Sequence, residues 1–99
     1  MKFTQIVDFE TERMDEMRAL MDEWDATAGP RDYGPKRTAI LKDRDNANRF
    51  YVVVEFDSYD EAMRNSNDPG TTRMAQRLQE LCTRPTRFVN CDVLDTQEG

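Results

Sequence analysis

Four polar side chains on two predicted strands have the types and spacing needed for acid–base chemistry on an oxygen-containing ligand. Tyr51 and Glu55 stand four residues apart in one strand, and Asn90 and Asp92 stand two apart in another. Alternate residues of a strand share a face, so each pair projects to one side. A buried carboxylate has a raised pKa and suits a general base, whereas a phenol or an amide can hydrogen-bond a ligand oxygen. We predict these four as catalytic residues.

Each of the four also has a structural interpretation, which the sequence leaves open. Glu55 and Asp92 can be solvated or paired with an arginine. Tyr51 can be an aromatic residue of a subunit interface, and Asn90 can satisfy a backbone group.

Three aromatic residues are predicted to form the flat walls of a ligand cavity. Trp24 lies in the last turn of a predicted helix, and Tyr33 lies in the turn-rich segment GPRDYGPK that follows it. Phe88 lies on the predicted last strand. Ligand pockets are lined mainly by apolar and aromatic groups. A plain connection remains the alternative for the turn-rich segment.

Several classes of site are disfavoured by composition. The chain has 99 residues and no histidine, which removes the commonest general base and metal ligand. Its two cysteines, Cys82 and Cys91, form no CxxC pair and are interpreted as half-buried small hydrophobic residues. We therefore expect no metal site and no cofactor.

The charge and hydropathy of the chain limit the kinds of partner that it could bind. The net charge is −6 and the basic residues are dispersed, which argues against binding a nucleic acid. No apolar run approaches the ~18 residues of a membrane span, and the amino terminus has no signal-peptide pattern. We expect a cytoplasmic protein without a membrane partner.

The stretch RFYVVVEFD, residues 49–57, is the strongest strand in the sequence. Its residues alternate, with an apolar side that must meet a core and a mixed side that carries Tyr51 and Glu55. The apolar side consists of Phe50, Val52, Val54 and Phe56.

The remaining elements follow from periodicity and end signals. Met14, Met17, Met21 and Trp24 form the apolar stripe of an amphipathic helix with Thr11 as its N-cap. A later helix starts at the capping box Ser58-Tyr59-Asp60-Glu61, breaks, and resumes behind Thr71 or Thr72. The predicted elements are strand 2–10, helix 11–28, strand 37–43, strand 49–57, a helix from 58 broken at 65–70, a helical segment with its apolar stripe in 74–82, and strand 86–94.

This order predicts one two-layer α+β domain, residues 1–95, followed by a polar tail at 96–99. Two helices, the second broken in two, would cover one face of an antiparallel four-stranded sheet in the ferredoxin-like βαββαβ pattern. The first strand alternates too imperfectly to decide which of its sides faces the helices. If Val89, Cys91 and Val93 face the helices, the cavity side carries Tyr51, Glu55, Phe88, Asn90 and Asp92.

The uncovered sheet face would expose an apolar patch, which a second copy of the chain would bury. The chain resembles the dimeric α/β barrel superfamily, which includes antibiotic-biosynthesis-monooxygenase-like and stress-responsive barrel proteins. The resemblance is carried by NRFYVVVEFDSYDEAM (48–63), NDPGTT (67–72) and MAQRLQELC (74–82). It implies a homodimer with a small cavity in each protomer.

The resemblance also limits the kinds of reaction that the chain could catalyse. Haem-degrading members depend on a histidine, which this sequence lacks, whereas cofactor-free oxygenases of polycyclic phenols use polar and aromatic cavity residues. The chain is thus predicted to be a small dimeric protein with a cavity for an aromatic or polyketide-like molecule, as a cofactor-independent monooxygenase or an isomerase. The alternative is a non-catalytic homodimeric structural or regulatory module.

Overall fold

The computed structural model describes residues 1–28 and 34–98, and the predicted order of strands and helices is confirmed. Three helices cover one side of a four-stranded antiparallel sheet, so the fold is ferredoxin-like and two-layered. The elements are β1 (Phe3–Glu10), α1 (Met14–Ala28), β2 (Arg37–Lys42), β3 (Arg49–Phe56), α2 (Tyr59–Ser66), α3 (Pro69–Glu80) and β4 (Arg87–Asp92).

The sheet has the strand order β2-β3-β1-β4, which places the two most deeply buried strands in the centre. Val7 of β1 lies opposite Val52 of β3, and Phe9 lies opposite Phe50. Residues opposite one another project to the same side. The register therefore decides the question that alternation left open, because the side of β1 that carries Phe3, Val7 and Phe9 faces the helices.

The core forms between this side of the sheet and the helices. Phe9 and Met17 have no exposed surface, and the ring of Phe9 stacks on that of Phe50 with 5.8 Å between centroids. The methionine stripe of α1 is thus part of an ordinary core. The main cluster consists of Val7, Phe9, Met17, Met21, Phe50 and Val52.

The start of α1 differs from the prediction. The helix begins at Met14, and Thr11 is not its N-cap. The hydroxyl of Thr11 donates to the carbonyl of Leu81 (2.6 Å) and accepts from the backbone N–H of Arg13 (3.0 Å). A tertiary contact with the end of α3 therefore uses this hydroxyl, which is buried.

The two parts of the broken helix have different caps. Ser58 caps α2 as predicted, because its Oγ accepts from the backbone N–H of Glu61 at 3.2 Å. Asp68 caps α3, so the prediction of Thr71 or Thr72 is wrong. Pro69 occupies the first helical position, where its fixed φ is favourable and its missing N–H costs nothing, and an aspartate before it is a preferred cap.

The prediction for the facing of β4 is also wrong. Phe88 lies opposite Val7 and therefore on the helix side, whereas Val89 lies opposite Ile6 on the other side. β4 is an edge strand, in which Phe88 is 52% exposed and Val89 is half-buried, so neither face is buried deeply enough for alternation to reveal it. The helix side of β4 carries Phe88, Asn90 and Asp92.

Candidate functional site

The side of the sheet away from the helices, here called the open face, has an apolar row between two polar rows. Each row crosses all four strands, as the register of the three strand pairs requires. The middle row is Ala39, Val53, Ile6 and Val89. The flanking rows are Arg37, Glu55, Thr4 and Cys91 on one side, and Leu41, Tyr51, Asp8 and Arg87 on the other.

Asp8 is a buried carboxylate on the open face, and two arginines bind it. Arg49 donates to both of its oxygens, at 3.1 and 2.7 Å, and Arg84 donates to Oδ1 at 3.2 Å. Arg84 also pairs with Glu10 at 3.1 Å. The hydrogen bond from Arg49 lowers the pKa of Asp8; burial opposes this, and the charges of Arg49, Arg84 and Arg87 add to it. Asp8 therefore stays ionised at neutral pH and is unsuited to general base catalysis there.

Tyr51 belongs to the same network, but its phenol is occupied. Its hydroxyl donates to Asp43 Oδ2 at 2.8 Å, and Arg49 lies 5.5 Å from the ring centroid. The bond to Asp43, together with burial, raises the pKa of Tyr51. The pKa of Asp43 is lowered, first by the backbone N–H of Asp45 and then by Tyr51. The pair is a neutral phenol held by a carboxylate.

Glu55 has the arginine partner that its structural interpretation allowed. Arg37 Nε lies 2.6 Å from Glu55 Oε2, and Nη2 lies 3.4 Å from Oε1. Arg37 is the directly opposite residue on β2, so the ion pair lies across one rung of the sheet. Both oxygens of this carboxylate are engaged.

The other two predicted catalytic residues are not beside Tyr51 and Glu55. Asn90 and Asp92 lie on the helix side of β4, and both are exposed. Asn90 Oδ1 accepts a hydrogen bond of 3.1 Å from Gln5, its opposite neighbour on β1. Phe88 shares this side and is half exposed. The predicted set of four is therefore divided between the two faces of the sheet.

Trp24 lines a groove between α1 and α3, here called the α1–α3 groove. The groove has a volume of about 190 Å³ and adjoins a second cleft of about 330 Å³ between the same helices. A bidentate ion pair between Arg77 and Glu23, with both distances 3.2 Å, lies where the two meet. Tyr33 lies outside the described residues. The α1–α3 groove is lined by Leu20, Glu23, Trp24, Gly70, Arg73, Met74 and Arg77.

Sequence reasoning missed the Asp8 network and three buried oxygens of α2 and α3. Glu61 Oε2, Asn65 Oδ1 and Thr71 Oγ1 have no hydrogen-bond partner in the part of the chain that the structure describes. A charge between the apolar residues of a strand was the available signal for Asp8. The sequence carried no signal for the three oxygens, because both helices have ordinary caps and nothing in their local pattern marks a buried polar atom.

Residues 1–28 and 34–98 contain no group of three or more aspartate, glutamate or cysteine side chains that could hold a metal ion. None of the helices in those ranges has the length and the apolar composition needed to cross a bilayer.

Comparison with known proteins defines the fold. No protein-family model matches the chain, and no curated protein sequence matches it. Solved structures match it over nearly its whole length. SnoaB, a cofactor-independent oxygenase from Streptomyces nogalater, has a TM-score of 0.81 and 20% identity, covering 96% of this chain and 95% of that one.

Two further solved structures have the same fold as this chain. Rv0793 from Mycobacterium tuberculosis has a TM-score of 0.80 and 18% identity over 99% of this chain and 100% of its own. An inferred antibiotic biosynthesis monooxygenase from Deinococcus radiodurans has a TM-score of 0.77 and 14% identity over 99% and 97%. The chain therefore has the ferredoxin-like fold of antibiotic biosynthesis monooxygenase-type proteins, which confirms the predicted resemblance at the level of fold.

Proposed function

We propose that this chain is a homodimeric, cofactor-independent oxygenase of an aromatic or polyketide-like molecule. The observation that carries the proposal is the extent of the match to SnoaB, which covers 96% of this chain. The position of Trp24 also supports the proposal. This residue was predicted to form a flat wall of a ligand cavity, and its side chain lines a groove. Fold alone does not determine a reaction, so the groove is where the proposal can be tested.

In this reaction the substrate itself reduces oxygen. A ring carbon that carries two hydrogens becomes a carbonyl, one atom of O₂ enters that carbonyl, and the other leaves as water with the two hydrogens. The chain binds and orients the substrate. The indole of Trp24 lies against the ring system, and Leu20 and Met74 supply apolar surface that excludes water.

Oxygen uptake with anthrone tests this proposal. Wild-type protein should consume O₂ and form anthraquinone faster than the autoxidation measured without protein. Trp24→Ala should lower that rate at least tenfold, and Trp24→Phe, which keeps a flat wall, should retain most of it. Rates equal to autoxidation, or a Trp24→Ala variant as active as wild type, would overturn the proposal.

The homodimer is the second part of the proposal, and its interface is the open face. Ile6 and Val53 form the centre of an apolar row on a sheet whose other side already packs on the helices. Leu41 in the adjacent row is 45% exposed. A second copy would bury this strip through a two-fold contact, and the neighbouring carboxylates already have arginine partners, so burial would leave none of them unpaired. A native mass of twice 11.6 kDa is expected.

The four predicted catalytic residues take two roles in this proposal. Tyr51 and Glu55, which are engaged with Asp43 and Arg37, serve the subunit interface. Asn90 and Asp92, which are exposed on the helix side, remain available to a ligand at the edge of the sheet.

A non-catalytic homodimeric module is the second candidate. It is favoured by the occupation of the two predicted catalytic groups on the open face, the phenol of Tyr51 and the carboxylate of Glu55. It predicts a dimer that neither consumes oxygen with an aromatic substrate nor binds one in the α1–α3 groove. Both candidates are dimers, so oxygen uptake with anthrone, and not the native mass, distinguishes them.

A further inference from the structure

We propose that the α1–α3 groove selects an aromatic carboxylate, with Arg73 as the residue that binds the carboxylate. The inference rests on the proposed function, since it specifies the ligand class of the same groove. The lining includes an indole, two apolar side chains, two arginines and one glutamate, so its charges sum to +1 in a chain whose net charge is −6. Such a lining suits a ring system with one negative group.

The two arginines of the groove differ in their partners. Arg77 forms two hydrogen bonds with Glu23, whose carboxylate compensates the charge of the guanidinium. Among the side chains that the structure describes, none forms an ion pair or a hydrogen bond with Arg73. A guanidinium with an unused planar donor pair is the group best matched to a carboxylate.

Gly70 keeps the space between Trp24 and Arg73 open. A Cβ at this position would lie 3.5 Å from Trp24 Cζ3, 3.8 Å from Arg73 Nη2 and 3.0 Å from Asp68 Oδ1. A ligand placed there would thus touch the indole and reach the guanidinium at once. Asp68, whose Oδ1 accepts the backbone N–H of Gly70 at 2.8 Å, borders the same space and carries a negative charge, so the ring of the ligand, and not its carboxylate, should lie on this side.

The positive end of α3 adds to this selection. Gly70 and Arg73 both lie in the first turn and a half of a 12-residue helix, whose dipole favours an anion near its start. The groove, with a volume of about 190 Å³, is large enough for a small fused-ring system. We therefore expect a ligand such as naphthoate, with its rings on Trp24 and its carboxylate on Arg73.

The experiment compares naphthoate with naphthamide, its neutral amide. Trp24 is the only tryptophan, so its indole N–H gives one cross-peak in a ¹⁵N–¹H correlation spectrum and reports occupancy of the groove directly. Titrations would be recorded for wild type, Arg73→Gln and Arg18→Gln. Arg18 is an exposed residue of α1 that does not line the groove, so its substitution removes the same charge elsewhere.

We expect wild type to bind naphthoate about tenfold more tightly than naphthamide, the factor typical of one charge-assisted contact. Arg73→Gln should abolish this preference and leave the affinity for naphthamide unchanged, while Arg18→Gln should keep it. Equal binding of both compounds to wild type, or a preference that survives in Arg73→Gln, overturns the inference and leaves the proposed function standing. An indole peak that neither compound moves overturns this inference and also removes the groove from the proposed function.

Discussion

Arg49 reaches diagonally across the β1–β3 pair to hold Asp8 through two hydrogen bonds, 2.7 and 3.1 Å long. The residue directly opposite Asp8 is Tyr51, whose ring lies beneath the same guanidinium. One arginine thus compensates a buried carboxylate and contacts an aromatic ring. This arrangement makes Asp8 the polar centre of the open face.

Replacing Asp8 with asparagine should lower the free energy of unfolding by about 2 kcal/mol, because two arginines lose the carboxylate that compensates them. The control is Asp22→Asn on the exposed side of α1, which should change it by no more than about 0.5 kcal/mol. Urea denaturation measures both variants. Equal effects would mean that the Asp8 network contributes nothing specific.

The pH dependence of the stability of the protein should follow the ionisation of the Asp8 carboxylate. Its pKa in the folded protein is below the ordinary value of 3.8, so the fold favours the ionised form. The contribution is present above that ordinary value and is lost as the pH falls through the folded pKa. The difference in Tm between wild type and Asp8→Asn should stay constant from about pH 7 to about pH 5 and shrink below about pH 4. A difference that widens on acidification would contradict this assignment.

Tyr51 should ionise at a higher pH than an ordinary tyrosine. Its bond to Asp43 and its burial raise its pKa above 10.0, so the stabilisation is present below pH 10 and lost as the pH rises through the folded value. Absorbance titration of the three tyrosines should show a late phase that Tyr51→Phe removes and Tyr59→Phe does not. Loss of an early phase in Tyr51→Phe would disprove the raised pKa.

Thr71→Val should stabilise the protein. Its buried hydroxyl has no hydrogen-bond partner in the described part of the chain, and a methyl group of similar size removes that cost, about 1 kcal/mol. Thr72→Val, at the exposed neighbouring position, controls for helix propensity and should be close to neutral. Thermal unfolding compares the two. A less stable Thr71→Val would indicate that the hydroxyl does have a partner.

Much of this fold could be predicted because its central elements bury one face. β3 alternates cleanly since Phe50 and Val52 pack into the core, and Ser58 was recognised as a cap from local spacing alone. Where burial is weak, prediction failed. β4 is an edge strand with a half-exposed Phe88, and nothing in its own residues decides which side meets the helices.

The candidate site was less predictable, because its geometry depends on partners distant in sequence. Asp8 and Arg84 are 76 residues apart, and no local pattern pairs them. Glu55 could be assigned as a base only while the register that brings Arg37 opposite it was unknown. Trp24 was predicted to be the wall of a ligand cavity, and it lines the α1–α3 groove; the opposite side of that groove comes from α3, whose approach to α1 only the tertiary structure provides.

The central claim, assembly through the open face, is tested most directly by native mass spectrometry of two matched variants. Ala39→Arg places a charge in the apolar row, and Ala75→Arg places the same charge on α3; both alanines are exposed in the protomer, so each variant should fold. We expect wild type and Ala75→Arg to have twice the protomer mass of 11.6 kDa, and Ala39→Arg to have the protomer mass. A monomeric wild type, or an Ala39→Arg variant that remains dimeric, would contradict the claim.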